Sequence, residues 1–387
     1  MFKDLSGSAV TMGFLAALVG TASSFAIVLQ GLRAVGASEA EAASGLMAIA
    51  VAKGIAAIIL CARTRVPISL AWSTPGAALL ATAGALPGGF GEATGAFIIC
   101  GALLALTGLF SPLRKAIEAI PVALASALLA GVLLTLCLAP IKAIAFNPVW
   151  GLAIFAGWLI GGRLSKTMAA PGALLAFIGV VIFGVEPSSE AFGAVGDVAF
   201  TTPVLTTPIF TLGGLIGIAL PLYIVTMAGQ NLPGAGVLVS NGYPPHVRPA
   251  LALSGLASAL AAPLGGHACN YAAITAAMCA SEEAHPDPAR RYWSAMVAGG
   301  FYVLFGLFAS AAVGFVLLAP QILIEAVGGL ALFGAFAAAV YKAFETPETR
   351  EAAAATFLTT ASGVAFFGIS GAFWGLILGG FIYLIRR

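Results

Sequence analysis

Charged side chains are scarce in this 387-residue chain. Asp, Glu, Lys and Arg make up 8% of the residues, against about 25% in an average soluble domain. Hydrophobic residues make up 60%, and the mean hydropathy is +1.06. The shortage of charge excludes an ordinary soluble domain, and a net charge of +2 spread over loops gives no footprint for nucleic acid. The composition predicts an all-α polytopic membrane protein embedded in the lipid bilayer.

Cysteine pairs and catalytic motifs are also missing from the sequence. No CxxC pair, P-loop, HExxH or GxSxG motif occurs, and no paired aspartates fall within the apolar segments. We therefore expect no disulfide, no metal site and no cofactor. The sequence gives no support to ATP-driven transport or to an enzyme, which leaves secondary transport. The five cysteines stand singly within apolar segments, at Cys61, Cys100, Cys137, Cys269 and Cys279.

Two apolar segments do not have the pattern of a continuous helix. Val66 to Gly84 starts extended and opens a helix at Ser73 and Thr74, an N-cap followed by proline in the first turn. Pro263 to Ala280 begins with glycines and ends in an Ala-rich stretch without helix breakers. Each is predicted to be a short extended strand followed by a half-length helix that starts near the middle of the membrane.

The apolar segments divide into two sets of seven. Because seven is odd, the second set crosses the membrane with opposite topology, and the fold is predicted to be a 7+7 inverted repeat. Residues 1–184 form the first repeat, residues 185–206 a linker and residues 207–387 the second repeat. The segments lie at about residues 10–31, 41–61, 66–84, 94–111, 121–140, 147–162 and 168–184, then 207–229, 247–262, 263–280, 290–312, 320–341, 351–367 and 369–385.

The placement of positive charge supports fourteen crossings. With both termini in the cytoplasm, the cytoplasmic side holds fourteen of the 17 Lys and Arg residues, and only Arg33 and Lys142 fall outside. The remaining lysine, Lys53, lies within the second segment. It could attract an anion, but snorkelling of its ammonium toward an interface is the expected arrangement.

The two half-helices are predicted to meet at their N-termini, where each contributes roughly half a positive charge and free N–H donors. An anion suits such a site. Several of these side chains have structural alternatives: the hydroxyls could only cap helices, the amides could only join helices, and the aromatics could only pack. The candidate substrate-binding residues are Ser23, Ser24, Phe25, Trp72, Ser73, Thr74, Met227, Gln230, Asn231, His267, Asn270 and Tyr271.

His267 is the only histidine predicted at membrane depth. Its titration range makes it the candidate proton-coupling residue. The alternative is a neutral imidazole that bonds to nearby backbone.

Three stretches resemble hallmark sequences of the BenE-type benzoate/proton symporters. They are TMAGQNLPG at Thr226–Gly234, GGHACNYAAITAAMCA at Gly265–Ala280 and EAHPDPARRYW at Glu283–Trp293. The resemblance implies a carrier of the bacterial inner membrane that moves benzoate or a similar aromatic carboxylate together with protons.

The same resemblance implies kinship with the uracil-permease fold. That fold has a core domain (segments 1–4 and 8–11) and a gate domain (segments 5–7 and 12–14), and a homodimer could form through the gate helices. Met227 and His267 stand where nucleobase carriers of that fold have glutamates, which favours an anionic substrate. A permease or channel for another small anion or for a nucleobase-like heterocycle stays open as the alternative.

Overall fold

The computed structural model describes residues 5–112, 120–165, 168–185, 200–272, 274–364 and 371–386. In the first half the elements are α1 (Gly7–Ala22), α2 (Phe25–Ala34), α3 (Glu39–Thr64), β1 (Leu70–Trp72), α4 (Thr74–Ala83), α5 (Gly89–Leu109), α6 (Val122–Cys137), α7 (Ala139–Phe146), α8 (Pro148–Leu164) and α9 (Ala169–Val180), which a π-helical turn (Val181–Val185) extends.

The second half opens with α10 (Leu212–Gly214), α11 (Leu220–Thr226) and α12 (Leu232–Ser240), which are joined by π-helical turns at Leu215–Ala219 and Met227–Asn231. There follow α13 (Val247–Ala261), β2 (Cys269–Tyr271), α14 (Ile274–Ala280), α15 (Tyr292–Leu307), α16 (Ala309–Leu317), α17 (Gln321–Phe344), α18 (Arg350–Ala361) and α19 (Gly371–Arg386).

The fold is helical and built for a membrane, as the composition predicts. Within the described residues, seven helical segments are long and apolar enough to cross a bilayer, and the pair α15 and α16 makes an eighth if it is counted as one bent span. The inverted relation of the two halves and the division into core and gate domains stay predictions. Lys3, Arg114, Lys115, Lys166 and Arg387 lie outside the described residues, so the orientation of the termini also stays a prediction.

Segments 3 and 10 are each a three-residue strand followed by a short helix, as predicted. β1 and β2 pair antiparallel, with Leu70 opposite Tyr271 and Trp72 opposite Cys269. Helix α4 begins after Ser73, whose hydroxyl accepts a hydrogen bond from the Gly76 amide at 3.1 Å. The paired strands satisfy each other's backbone groups, which the hydrocarbon could not do.

Three predicted segments differ from continuous helices of the expected length. Segment 1 breaks at Ser23 and Ser24, and segment 11 bends by 54° between α15 and α16, although neither break contains a proline. Segment 8 continues beyond Pro233 to Ser240. Pro233 lies in the first turn of α12, directly after the Met227–Asn231 π-helical turn, so its missing N–H is accommodated where the hydrogen-bond ladder already shifts.

Small residues let helices from the two halves approach closely. A Cβ on Gly54 would lie 2.5 Å from the Gly299 carbonyl oxygen, and one on Gly299 would lie 2.7 Å from the Gly54 carbonyl oxygen. A Cβ on Gly101 would lie 2.8 Å from the Gly255 carbonyl oxygen, and one on Gly255 would lie 2.6 Å from the Gly101 carbonyl oxygen. These contacts bring α3 against α15 and α5 against α13, the small-residue packing that membrane helices favour.

Residues 200–206 of the predicted linker (185–206) begin an extended stretch, residues 200–211, at one end of the bundle, and linker residues 186–199 lie outside the described part. In this stretch the Thr201 N–H donates to the Leu307 carbonyl and the Thr206 N–H donates to the Pro263 carbonyl, both at 2.8 Å. The Val204 N–H donates to the Ser44 hydroxyl at 2.9 Å. This stretch therefore joins α3, α15 and the turn that follows α13 before the chain enters α10.

Candidate substrate site

Ser73 directly follows β1, and Ala268 directly precedes β2. This end of the paired strands, with the residues that flank it, is called the strand crossing below. Ser73 is fully buried there. Its N–H donates to the Ala268 carbonyl at 2.8 Å, and its hydroxyl lies 2.7 Å from that of Thr226. The same hydroxyl oxygen caps α4 by accepting the Gly76 N–H, so both the N–H and the hydroxyl of Ser73 have partners within the protein. The structure thus gives Ser73 a capping and linking role.

His267 and Asn270 are fully buried beside Ser73. Nε2 of His267 lies 3.2 Å from the Ser73 carbonyl oxygen, and the imidazole packs edge-to-face on Phe97. The Asn270 side-chain amide donates to the Tyr271 carbonyl at 2.5 Å. Nδ1 of His267 and Oδ1 of Asn270 have no hydrogen-bond partner among the described residues. Neither side chain lines any of the cavities described below.

The candidates from segment 8 form a second group. The Asn231 side chain accepts a hydrogen bond from the Tyr271 N–H at 3.0 Å and donates to the Met227 sulfur at 3.3 Å. Met227, Asn231 and Tyr271 line a cavity of about 160 Å³ between α12, α13 and β2. Gln230 is half-buried next to this group, and Thr74 is half-buried at the start of α4.

The candidates from segment 1 belong to a third group, around the largest cavity described in the fold. Phe25 and Trp72 both line this cavity, which has a volume of about 370 Å³. The Trp72 indole N–H donates to the Ser24 hydroxyl at 2.6 Å, and the Ser24 hydroxyl donates to the Gly20 carbonyl at 3.0 Å. Ser23 is half-buried at the break between α1 and α2.

The walls of the large cavity are almost wholly apolar. Except for Phe25 and Trp72, the sequence did not single out the lining residues, because they lie in α1, α3, α9 and the bent pair α15 and α16, outside the three recognisable stretches. The lining comprises Leu18, Thr21, Ala22, Phe25, Leu46, Ala50, Trp72, Leu174, Phe177, Ile178, Phe305, Gly306, Phe308, Ala309, Ala312, Phe315 and Val316.

The expectation that Lys53 snorkels toward an interface is wrong. Lys53 is fully buried, and its Nζ lies 3.6 Å from the centroid of the Trp72 ring and 3.8 Å from that of Tyr302. It stands near the middle of the 26-residue helix α3, so either end is at least about 15 Å away at 1.5 Å per residue. The side chain is too short for that distance, and two aromatic faces receive its ammonium group instead.

A smaller cleft lies near the start of α4. It has a volume of about 110 Å³ and is lined by α6, by part of segment 8 and by the exposed Lys342. Gly229 belongs to this lining, and a Cβ on it would lie 3.5 Å from Pro75, in the first turn of α4. The cleft therefore approaches the N-terminus of α4.

The twelve candidates thus do not converge on one open site. Ser73, His267 and Asn270 are enclosed at the strand crossing and line neither the large cavity nor the cavity at Tyr271. Among the described residues, no group of three or more His, Cys, Asp or Glu side chains is placed to hold a metal ion.

Comparison with known families decides the relationship of the chain. A sequence model of the family BenE, described as "Benzoate membrane transport protein", matches residues 3–385. The chain belongs to the BenE family. Members of this family with curated descriptions include the inner membrane protein YdcO of Escherichia coli, which is 39% identical over 381 residues, 96% of this chain and 94% of that protein. The benzoate membrane transport protein of Acinetobacter baylyi is 32% identical over 384 residues, 99% of this chain and 96% of that protein.

Solved structures place this BenE-family chain in a known transporter fold. The transmembrane domain of the cyanobacterial bicarbonate transporter BicA superposes with a TM-score of 0.58 at 16% identity, covering 99% of this chain and 98% of that domain. SLC26A9 superposes with a TM-score of 0.57 at 12% identity, covering 100% of this chain and 66% of that protein. Together with the family membership, this fold shows that the chain is a membrane transporter.

Proposed function

We propose that this BenE-family transporter imports benzoate or a similar aromatic carboxylate together with a proton. The observation that carries the proposal is the cavity of about 370 Å³ that Phe25 and Trp72 line at the strand crossing. Ligand pockets of small molecules begin at about 300 Å³ and are mostly apolar with a few polar groups. A single aromatic ring fits this volume and this lining.

The lining favours a ring over a small inorganic anion. Phe25, Trp72, Phe177 and Phe305 present aromatic surface to the cavity, and aromatic rings pack on one another offset or edge-to-face. Thr21 is a polar residue in this largely apolar lining. Its hydroxyl is buried without a hydrogen-bond partner among the described residues. In our proposal the ring lies among these side chains and the carboxylate points toward Trp72 and the start of α4.

A proton travelling with the carboxylate would keep the loaded transporter electrically neutral. An uncompensated charge in the membrane interior costs several kcal/mol. Two buried side chains that become positively charged on protonation lie near the strand crossing, His267 and Lys53. We propose that one of them holds the proton while the anion is bound.

The cavity lies where the two predicted domains would meet. Phe25, Trp72 and Phe305 belong to segments assigned to the core, and Phe177 belongs to segment 7 of the gate. A movement of the core against the gate would therefore open or close the cavity. We propose that this movement exposes the site to the two sides of the inner membrane in turn, with both termini in the cytoplasm; a homodimer through the gate helices stays a prediction.

The cleft beside Lys342 favours a second candidate function, transport of another small anion. Its lining includes the positive side chain of Lys342 and approaches the N-terminus of α4 at Gly229, but its volume of about 110 Å³ is smaller than that of the large cavity. An inorganic or short carboxylate anion would suit it better than an aromatic ring. A channel for such an anion would not show saturable, uphill uptake. A permease for a nucleobase-like heterocycle would be inhibited by uracil.

Uptake of labelled benzoate into proteoliposomes tests the proposal. With an inward-directed proton gradient we expect saturable, uphill uptake that a protonophore abolishes and that excess uracil or sulfate leaves unchanged. Uptake that stops when the benzoate concentrations inside and outside are equal would indicate a channel. Absence of benzoate uptake, together with uptake of labelled sulfate or another small anion, would favour the second candidate.

A further inference from the structure

We propose that Lys53 takes up the proton when the aromatic carboxylate binds, and that the resulting ammonium is the charge partner of the carboxylate across the Trp72 ring. This assignment rests on the function proposed above. It names a residue outside the twelve candidates of the sequence, and it rests on the placement of Lys53 against the cavity.

Lys53 lies one helical turn beyond the cavity on the face of α3 that lines it. Leu46 and Ala50 line the cavity, and Lys53 follows Ala50 by three residues, a spacing that keeps it on the same face of the helix. Helix α15 repeats the arrangement, because Phe305 and Gly306 line the cavity and Tyr302 lies one turn away on that face. Lys53 and Tyr302 thus meet at the end of the cavity.

Trp72 contacts both the Lys53 side chain and the cavity. Trp72 is part of the cavity lining and Lys53 is not, while Nζ lies 3.6 Å from the ring centroid. Trp72 is held in place by its hydrogen bond to Ser24. A carboxylate on the cavity side of this ring would be roughly 7 Å from Nζ, close enough for an electrostatic interaction of roughly 2 kcal/mol at an effective dielectric constant of about 20.

No acceptor or counter-ion accompanies Lys53 among the described residues. Its Nζ is buried without a hydrogen-bond partner, and no described carboxylate forms an ion pair with it. The titratable groups that face it are the Tyr302 hydroxyl, the Cys269 thiol and the His267 imidazole, none of which carries the negative charge of a carboxylate. Two aromatic faces offset only part of the cost of burying an ammonium. The empty site therefore favours the neutral amine.

Arrival of the anion reverses this preference. At an effective dielectric constant of about 20, opposite unit charges roughly 7 Å apart change an affinity by roughly fifty-fold. The neutral amine of Lys53 gains one proton, forming an N–H bond, while the bonds of the substrate are unchanged. When the carboxylate leaves, the ammonium releases that proton on the same side. One proton accompanies each anion, and the net charge moved is zero.

His267 is less well placed for this role. Its Nε2 lies against the Ser73 carbonyl and its ring packs on Phe97, so it joins the segment before β2 to the residue that follows β1. It does not line the large cavity. A histidine in that position supports the backbone at the crossing, whereas Lys53 shares the Trp72 ring with the cavity.

The test measures proton uptake on ligand binding by the purified protein in weakly buffered, mildly alkaline detergent solution with a pH indicator. Benzoate is compared with benzamide, a neutral compound of similar shape. For the wild type we expect about one proton taken up per benzoate bound and none per benzamide.

Two substitutions of Lys53 separate charge from proton uptake. In Lys53→Met we expect no benzoate-linked proton uptake, an affinity for benzoate lower by between about tenfold and fifty-fold, and an unchanged affinity for benzamide that also reports correct folding. In Lys53→Arg, whose guanidinium stays charged, we expect benzoate binding without proton uptake. The matched control is Lys142→Met, which removes an exposed lysine of α7 and should behave as the wild type.

The outcomes separate this assignment from the proposed function. Wild-type protein that binds no benzoate overturns the proposed substrate and this assignment with it. Benzoate-linked proton uptake that persists in Lys53→Met or in Lys53→Arg overturns the assignment alone. If Lys53→Met does not fold, Lys53→Arg decides between these results. Uptake that persists in Lys53→Met but disappears in His267→Gln would assign the proton to His267.

Discussion

The hydroxyl of Ser73 lies 2.7 Å from the hydroxyl of Thr226, and both side chains are fully buried. Ser73 precedes α4 in the first half of the chain, and Thr226 ends α11 in the second half. The same Ser73 oxygen accepts the Gly76 N–H. One side chain therefore caps the half-helix and joins it to a helix of the other half.

Ser73→Ala should destabilise the protein measurably. The loss of an N-cap costs about 0.5–2 kcal/mol, and a Thr226 hydroxyl left buried without its partner costs about 1–3 kcal/mol more. Thermal unfolding in detergent should show a clearly lower midpoint. The matched control is Ser362→Ala, whose hydroxyl is exposed, donates to the Thr359 carbonyl and accepts the Val364 N–H. Equal midpoints for the two variants would show that the Ser73 bonds do not hold the crossing.

Trp72→Ala should lower the affinity for benzoate at least about tenfold, because the loss of one well-packed aromatic wall removes both apolar contact and ring packing. Trp72→Phe keeps a ring and should have a smaller effect, since Ser24 retains its bond to the Gly20 carbonyl. Isothermal titration with benzoate measures both. The control is Trp158→Ala in α8, whose indole packs on Phe155 and Phe333 outside the cavity. Equal losses for Trp72→Ala and Trp158→Ala would contradict a site beside Trp72.

Gly20→Ala tests whether the packing of Tyr302 against α1 holds the ring that faces Lys53. A Cβ on Gly20 would lie 2.6 Å from the Tyr302 hydroxyl, so the ring that faces Lys53 must shift. We expect a loss of stability of about 1–3 kcal/mol and slower benzoate uptake. Gly300→Ala, in the same helix as Tyr302, meets no heavy atom within 4 Å and should be neutral or slightly stabilising. The measurements are the unfolding midpoint and the initial rate of uptake, and a Gly20→Ala protein indistinguishable from Gly300→Ala would contradict this packing.

Thr201→Val should loosen the bend between α15 and α16. The Thr201 hydroxyl accepts the Ser310 N–H at 2.8 Å, and its own N–H donates to the Leu307 carbonyl. Valine keeps the shape but cannot accept, so the start of α16 loses a cap where Phe308 and Ala309 line the cavity. Hydrogen exchange of the peptide containing Ser310 should become faster. Thr349→Val, at an exposed turn before α18, should leave that exchange unchanged.

The broken segments were predictable because local chemistry decides them. Proline in the first turn after Ser73, and the glycines before Cys269, fix where a helix can begin, and both half-helices start close to the predicted places. The N-cap role of Ser73, weighed as an alternative to ligand contact, is what its hydrogen bonds show.

The surroundings of Lys53 and the large cavity were not predictable in the same way. They depend on which rings α15 and β1 bring together, and on α9 packing near α1, relationships that no sequence spacing encodes. The bend before α16 has no proline or glycine pair to mark it, and the extended stretch 200–211 is fixed by contacts with distant helices rather than by its own pattern. Tertiary packing of this kind has no local signal.

A structure of the protein with 4-bromobenzoate tests the central claim most directly, since the bromine marks the position of the ring. We predict bromine density in the cavity lined by Phe25, Trp72 and Phe177, with the carboxylate toward the Trp72 ring and Lys53. Density in the cleft beside Lys342, or in the smaller cavity at Tyr271, would contradict the proposed site.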